Sequence, residues 1–180
     1  MSSTTPSDKR FEQVEAQRPG EPVPSEVRNP RHAAHTTEHI LNAVMQRDVG
    51  AGRSIEAHLG VKKSKVDYRV GRVLEADDFE AIEAAVNAEI DRDLPVTTFT
   101  VSRKEAEGRY DMGKVPPSAE TIRIVQIGDL DIIPCVGDHV DRTGRIGRFE
   151  IASAEMRSDD RVRIRFRLHA LPVDGEGAGA

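Results

Sequence analysis

The residues of this sequence with the clearest potential for chemistry are four nitrogen and sulfur ligands in two widely separated pairs. His35 and His39 are four residues apart in a segment with helical periodicity, so their imidazoles would project from the same face of a helix. Cys135 and His139 have the same spacing in a later turn that contains glycine. Imidazole and thiolate are preferred zinc ligands, and two from a helix with two from a loop can form a tetrahedral site.

Each pair also has a simpler interpretation that the residues leave open. Two histidines at this spacing also occur on helices that bind no metal, and a lone cysteine is often a buried small hydrophobe. His32, about one turn before His35, is a further candidate, either as a competing ligand or as a hydrogen-bonding partner of the site. Cys135 is the sole cysteine of the chain, which excludes an internal disulfide and favours a reducing, cytoplasmic location.

Two carboxylates, Glu38 and Asp138, lie next to these ligands in the sequence and are candidate catalytic general bases. Glu38 is about 100° around a helix from His39, so its position relative to a metal stays open. His35-x-x-Glu38-His39 also fits the pattern of inverted zinc metallopeptidases. That class requires a distant carboxylate as third ligand and gives no reason for the Cys135 pair.

The elements that must position these residues follow from periodicity and from capping residues. Asn29-Pro30 and the apolar spacing up to Gly50 predict a helix over 30–48, and Asp78 is expected to cap a second helix that ends before Pro95. Alternation and turn residues predict a hairpin and further short strands, which cover 55–59, 66–70, 96–101, 122–127, 132–134, 148–152 and 161–168. Ser102 to Glu105 has the pattern of a capping box. We therefore expect an α+β fold with a mainly antiparallel sheet and two longer helices.

Composition divides the chain into an arm, a domain and a tail. Five of the ten prolines fall in the first thirty residues, and this composition predicts a flexible arm over 1–29. The Gly/Ala-rich 173–180 predicts a flexible tail. Residues 30–172 form the expected zinc-binding domain. The net charge is −5, no apolar run is long enough to cross a bilayer, and aromatic residues make up only 4%. The core is therefore expected to be aliphatic, and no membrane partner is expected.

The last predicted strand alternates apolar and basic residues. Its basic members share one face and are Arg161, Arg163, Arg165 and Arg167. Four guanidinium groups in a row are suited to RNA phosphates. The alternative is an edge strand that charge keeps soluble. Lys62, Lys63, Lys65, Arg69 and Arg72 form a second basic cluster with the same ambiguity.

The two ligand pairs and their surroundings resemble the editing domain shared by threonyl- and alanyl-tRNA synthetases and by free-standing alanyl-tRNA editing proteins. The resemblance rests on His35-Thr36-Thr37-Glu38-His39 and on Cys135-Val136-Gly137-Asp138-His139-Val140-Asp141-Arg142-Thr143-Gly144-Arg145-Ile146-Gly147. Softer matches include Val101 to Ala106, Arg123 to Val125 and Arg163 to Phe166, and together they cover roughly 32–168.

This resemblance implies a hydrolase that removes a wrong amino acid from tRNA and thereby maintains translation fidelity. It implies zinc held by His35, His39, Cys135 and His139, with Thr36 in contact with the amino acid. The expected substrates are Ser- or Gly-tRNA(Ala), or Ser-tRNA(Thr). Because 180 residues leave no room for a synthetic domain, we expect an editing factor that acts in trans on the acceptor end.

The sequence departs from the family pattern at the second ligand pair. Alanyl members typically have Cys-Gly-Gly-Thr-His and threonyl members Cys-x-Gly-Pro-His, whereas this chain has Val136 and Asp138 at the variable positions. A carboxylate at Asp138 could pair with an α-ammonium group. The departure keeps an alternative open, in which the same fold binds tRNA or another aminoacyl carrier without editing, or acts as a hydrolase in a specialised pathway.

Overall fold

The computed structural model describes the backbone of Glu21–Pro22 together with residues 29–170. The predicted arm 1–29 and the predicted tail 173–180 lie almost entirely outside these residues. Within the arm, Glu21–Pro22 forms a short strand, β1, whose antiparallel partners are Thr97 and Thr98.

The first long helix, α1, spans Pro30–Val44 and begins where the sequence predicts. The Asn29 side chain caps it by accepting an amide hydrogen bond at 3.0 Å, and proline fits the first turn because no amide donor is needed there. A π-helical turn, Met45–Val49, continues α1 and ends at Gly50, whose φ of 73° favours glycine. The predicted helix over 30–48 is therefore present, with its last turn in a wider form.

The second long helix, α2, spans Ala76–Asp91 and starts two residues before the expected cap. Glu75 is the capping residue, so the prediction that Asp78 caps the helix is wrong. Asp78 instead lies in the first turn, where its carboxylate accepts the Glu75 amide hydrogen bond at 2.8 Å. A carboxylate can stabilise a helix start from either position, which is why sequence alone misplaces the boundary.

The strands form two four-stranded sheets among the described residues, with orders β1-β4-β5-β6 and β2-β3-β8-β7. All neighbouring strands are antiparallel. Their bounds are β2 Glu56–His58, β3 Ser64–Arg69, β4 Val96–Ser102, β5 Thr121–Ile127, β6 Asp131–Pro134, β7 Arg148–Ser158 and β8 Arg161–His169, and a one-turn helix, α3 Arg103–Ala106, follows β4. The predicted α+β class with two longer helices is confirmed. The division into two sheets was not predicted.

The main core lies between α1, α2 and the apolar faces of the strands. Ile40 and Leu41 of α1 and Val86 of α2 are 0% exposed, and they belong to the same buried cluster as Ile164 of β8. Each such side chain stabilises the fold by about 1.5–3 kcal/mol. Helix α1 is therefore fixed by its apolar face. None of the helices in the described part of the chain combines the length and apolarity that a membrane crossing requires.

Candidate metal centre

Four side chains from α1 and from the loop after β6 converge. His35 and His39 project from successive turns of α1, and Cys135 and His139 come from the loop. The candidate ligand atoms of these four residues all lie within 4.8 Å of one another. Cys135 Sγ is 3.4 Å from His35 Nε2 and 3.5 Å from His139 Nε2. The fold thus brings together all four residues that the sequence singled out as ligands.

These separations suit a tetrahedral zinc ion. Typical zinc–nitrogen and zinc–sulfur bonds place neighbouring ligand atoms about 3.6 Å apart, close to both measured sulfur–nitrogen distances. His139 is 0% exposed and His39 is 4% exposed, so these two candidate ligands are shielded from solvent, whereas His35 and Cys135 are partly exposed. Three imidazoles and one thiol are a donor set that zinc favours, and the residues present therefore fit the ion.

Gly137, between the two loop ligands, allows the loop to pass directly against the His35 ring. A Cβ atom on Gly137 would lie 2.0 Å from His35 Cε1 and 2.3 Å from its Nδ1. Atoms cannot approach that closely, so any side chain at Gly137 would displace the ring. The Cys-x-Gly-x-His pattern therefore needs glycine at this position because the ring of His35, from the other ligand pair, packs directly against it.

Arg123 of β5 hydrogen-bonds to the backbone of the loop that carries Cys135 and His139. Its guanidinium group donates hydrogen bonds to the carbonyl oxygens of Cys135 and Gly137 at 2.8 and 2.9 Å. Arg123 is only 9% exposed, and burial lowers its pKa. The sequence indicated Arg123 only as part of a family stretch. Its function in positioning the loop depends on a contact that spacing cannot predict.

His39 is oriented by a buried carboxylate that sequence reasoning missed. His39 Nδ1 is 3.0 Å from Asp131 Oδ2, and both side chains are 5% exposed. Arg53 contacts both oxygens of that carboxylate, with Nη1 3.3 Å from Oδ2 and Nη2 close to Oδ1. Because Nδ1 faces Asp131, Nε2 is left to face Cys135. Such carboxylate–histidine pairs fix the ring orientation of metal ligands.

The charges around the cluster favour a cation at its centre. Burial would lower the pKa of His39, but hydrogen bonds with Asp131 and Cys135 outweigh it and raise the pKa to about 10. Burial would raise the pKa of Cys135, but its contacts with three histidines bring the pKa well below the usual value. Burial lowers the pKa of His139 to about 3. The thiolate and the Asp131 carboxylate carry two negative charges, of which Arg53 balances one. One further positive charge is required, which either a proton or a metal can supply.

His139 is oriented by Thr36. The Thr36 hydroxyl donates to the His32 carbonyl at 3.0 Å and accepts from the Val140 amide at 3.1 Å. His139 Nδ1 lies 3.1 Å from the same oxygen. Because the Thr36 hydroxyl donates its only proton to the His32 carbonyl, it can only accept a hydrogen bond from His139 Nδ1. His139 Nδ1 therefore carries a hydrogen, and the lone pair of His139 Nε2 faces Cys135. Thr36 is 0% exposed and lies behind His139, and its contact with an amino acid stays a prediction.

A cavity of about 160 Å³ opens beside three of the four ligands. His35, His39 and Cys135 line it, whereas His139 does not. Its remaining lining residues include both polar and apolar side chains and are Glu38, Asn42, Arg53, Asp111, Lys114, Val115, Ile133 and Pro134. Any ligand that reaches the metal centre from this side therefore meets charged groups of both signs. Arg53, Asp111 and Lys114 were not predicted as site residues, because no motif marks them.

The two candidate general bases differ in position. Glu38 lines the cavity, and its Oε1 accepts hydrogen bonds from Asn42 and Ser54, both at 2.7 Å. The Asp138 side chain is 77% exposed, lies 3.7 Å from His32 Nε2 and does not line the cavity. The departure of this sequence from the family pattern at Asp138 therefore lies outside the cavity. Of the two carboxylates, the geometry favours Glu38.

Comparison with known proteins agrees with this geometry. The family described as the threonyl and alanyl tRNA synthetase second additional domain matches residues 122–165. An alanine–tRNA ligase of Halorubrum lacusprofundi is 32% identical over an alignment of 157 residues that covers 84% of this chain. Alanine–tRNA ligases of Methanopyrus kandleri and Natronomonas pharaonis are each 33% identical over 73% of it. This chain therefore contains an editing domain of the second-additional-domain type. The chain spans between 14% and 17% of the length of these three relatives.

The Thr143–Gly147 stretch of this family domain anchors the loop that carries the ligands. The Thr143 hydroxyl donates to the Ile90 carbonyl at 3.1 Å and accepts the Leu94 amide at 2.8 Å. Gly147 has a φ of 94°, and a Cβ there would lie 2.2 Å from the His169 carbonyl oxygen. The motif thus attaches the loop to the end of α2 and to β8.

The predicted arginine stripe of the domain is largely neutralised. Arg161 and Arg163 both bind the Asp67 carboxylate of β3, with shortest distances of 2.6 and 2.7 Å. Arg165 binds Glu155 at 2.9 Å, whereas Arg167 is exposed and has no carboxylate partner among residues 29–170. Strand β8 lies between β3 and β7, so the alternative interpretation as an edge strand is wrong. RNA binding by the stripe stays a prediction, and Arg167 is its best-placed member.

Proposed function

We propose that this editing-type domain hydrolyses the ester bond between a wrong amino acid and the terminal ribose of a tRNA. The observation that carries the proposal is the group of four candidate ligands, whose ligand atoms lie within 4.8 Å of one another, beside a small cavity with charged side chains in its walls. His35, His39, Cys135 and His139 would hold one zinc ion. Zinc at this position would polarise the ester carbonyl or lower the pKa of a water molecule.

The substrate we propose is tRNA(Ala) that carries serine or glycine. A synthetic site that accepts alanine cannot strongly reject such close analogues, since small side-chain differences are worth only about 1–3 kcal/mol. The sequence left tRNA(Ala) and tRNA(Thr) open. The similarity to three alanine–tRNA ligases favours tRNA(Ala).

The residues of the cavity suggest how the ester is bound and cleaved. Glu38 is the proposed general base, because its carboxylate lies in the cavity and is held by Asn42 and Ser54. Lys114 and Arg53 can donate hydrogen bonds to ester or ribose oxygens. Asp111, on the cavity wall, can pair with the α-ammonium group of the amino acid. Asp138 would have no direct part in the reaction.

A second candidate function is binding of an aminoacyl-tRNA, or of another aminoacyl carrier, without hydrolysis. One observation favours it: four protein ligands can fill a tetrahedral site, and filled zinc sites are usually structural. Editing requires that zinc accept a fifth group, lose a ligand or only orient water and substrate. Hydrolysis of an ester made in a specialised pathway belongs to the same alternative.

The decisive experiment supplies mischarged tRNA in trans to the purified chain of 180 residues. Release of serine from Ser-tRNA(Ala) and of glycine from Gly-tRNA(Ala) is expected, with Ala-tRNA(Ala) spared and Ser-tRNA(Thr) as the comparison. Metal analysis should find about one zinc per chain, and Cys135→Ala and His39→Ala should lower it. If zinc-loaded protein fails to hydrolyse every mischarged tRNA, the second candidate replaces the first. If both variants keep the full metal content, the site itself is wrong.

A further inference from the structure

A second and larger cavity, of about 570 Å³, lies along α1, and we call it the α1 groove. Its floor is apolar and includes Ala33 and Ala34 of α1, Phe166 of β8 and Ile146 of the family motif. The α1 groove shares no lining residue with the cavity at the metal centre. It is therefore a separate site on the same domain.

The α1 groove and the metal centre lie on opposite faces of the same helix. At about 100° per residue, the mean direction of Ala33 and Ala34 is roughly 170° from that of His35 and His39. The groove cannot receive the atoms that meet the zinc ligands. A ligand that occupies both sites must extend around α1.

The charged residues that line the α1 groove all carry positive charge. They are Lys62, Lys63, Arg145 and Arg167, and no Asp or Glu lines the groove among the described residues. This is unusual in a chain whose net charge is −5. The rim also presents Val61, a large apolar side chain that is 57% exposed.

Three of these four cations are not neutralised within the domain. Arg145 pairs with Asp141 at 3.1 Å, but Lys62, Lys63 and Arg167 are exposed and make no ion pair with any described residue. Arg161, Arg163 and Arg165 of β8, by contrast, are bound to carboxylates. The positive potential of this region is therefore available at the groove rather than along the strand.

We propose that the α1 groove binds the RNA backbone of the substrate at a place remote from the aminoacyl ester. Phosphates would contact Lys62, Lys63 and Arg167, and the sugars of one or two nucleotides would lie on the apolar floor. This proposal rests on the proposed function, because the proposed function identifies the RNA as tRNA(Ala). A polyanion such as RNA complements a concave surface with three cations on its rim that form no ion pair with the described residues. Because the groove and the metal centre lie on opposite faces of α1, only a long ligand can reach both sites.

The test compares two double charge reversals of equal size. Lys62→Glu with Lys63→Glu alters the rim, and Arg69→Glu with Arg157→Glu alters exposed arginines at the other end of β3 and β7. Binding of uncharged tRNA(Ala) is measured as a function of salt. The rim variant should reduce the slope of log K against log salt by about 2, and Arg167→Glu should reduce it by about 1 more, because each phosphate contact contributes about one unit.

A minimal ester separates this inference from the proposed function. Seryl-adenosine is too short to reach the α1 groove, so wild type and rim variant should hydrolyse it equally, while kcat/KM for Ser-tRNA(Ala) falls only in the rim variant. If wild type cleaves neither substrate, the proposed hydrolysis fails, and the salt slopes still test the groove. Equal slopes in rim and control variants would overturn the inference. So would equally strong competition by polyglutamate, which would assign the groove to acidic protein segments.

Discussion

Removal of the charge on Asp131 tests whether the buried carboxylate tunes the metal centre. In Asp131→Asn the side chain keeps its shape, but His39 loses an anionic hydrogen-bond acceptor and Arg53 loses its counter-ion. Hydrogen bonds to charged groups contribute about 1.5–3 kcal/mol. Because both Asp131 and His39 are 5% exposed, solvent cannot replace the lost interaction.

The expected result is a zinc affinity about 10- to 100-fold weaker than that of the wild type, the range found when a carboxylate behind a ligating histidine is removed. Competition with a chromophoric chelator at neutral pH measures the affinity directly. The visible spectrum of the cobalt-substituted protein reports a change in ligand geometry that a general loss of stability would not produce.

Asp129→Asn is the matched control. Asp129 precedes Asp131 by two residues, is 73% exposed and pairs with Arg92 on the surface. This variant carries the same chemical change in the same turn and should bind zinc like the wild type. If Asp131→Asn also binds zinc within threefold of the wild type, the carboxylate does not orient the ligand and the reasoning fails.

Three further predictions concern the neighbouring features. Gly137→Ala should displace the His35 ring and weaken zinc binding at least tenfold in chelator competition. Gly52→Ala is the control and should keep the wild-type affinity, because a Cβ atom at Gly52 meets nothing within 4 Å. Normal affinity in Gly137→Ala would refute the packing argument. In a single-turnover assay, Glu38→Gln should slow deacylation about 10²- to 10⁴-fold while the protein retains zinc, and Asp138→Asn should stay within threefold of the wild-type rate. A large rate loss in Asp138→Asn with a near-normal rate in Glu38→Gln would assign the general base to Asp138. Hydrogen bonds from Arg163 and, to a smaller extent, Arg161 outweigh burial and lower the pKa of Asp67 from 3.8 to about 2. Its contribution to the free energy of unfolding is therefore present above about pH 4 and is lost as the pH falls through 2. The contribution is about 1–2 kcal/mol after allowance for the partly exposed arginines. In Asp67→Asn, the free energy of unfolding measured with urea should therefore depend less on pH over that interval, whereas the exposed Asp160→Asn should change this dependence little. Parallel pH curves for wild type and Asp67→Asn would contradict the shift.

The features that sequence predicted correctly depend on short stretches of chain. Asn29 and Pro30 set the start of α1 because capping is a local interaction, and the spacing of His35 and His39 places both on one helical face whatever the rest of the fold does. The α+β class followed in the same way from local periodicity. The start of α2 was misplaced because a carboxylate stabilises the first turn from more than one position.

The partners of the ligands became visible only in the tertiary structure. Asp131 meets His39 across a separation of 92 residues along the chain, and Arg53 meets Asp131 across 78 residues. Neither Asp131 nor Arg53 belongs to a recognisable motif. Their positions depend on how β6 and the loop after α1 pack against the helix. The sequence could identify the candidate metal ligands by their type and spacing but could not say which groups orient them.

The basic residues show the same division between composition and fold. Alternation determined that the arginines of β8 share one face, but strand order determined that Asp67 lies beside two of them and cancels their charge. Lys62, Lys63 and Arg167, which form no ion pair with the described residues, instead line the α1 groove. This groove forms only where the start of α1, the β2–β3 turn and the end of β8 meet. Sequence thus determined which charges and ligands this protein carries. Only the packing of distant elements decided which of them are neutralised and which face a ligand, because Coulomb interactions depend on distance in space and not along the chain.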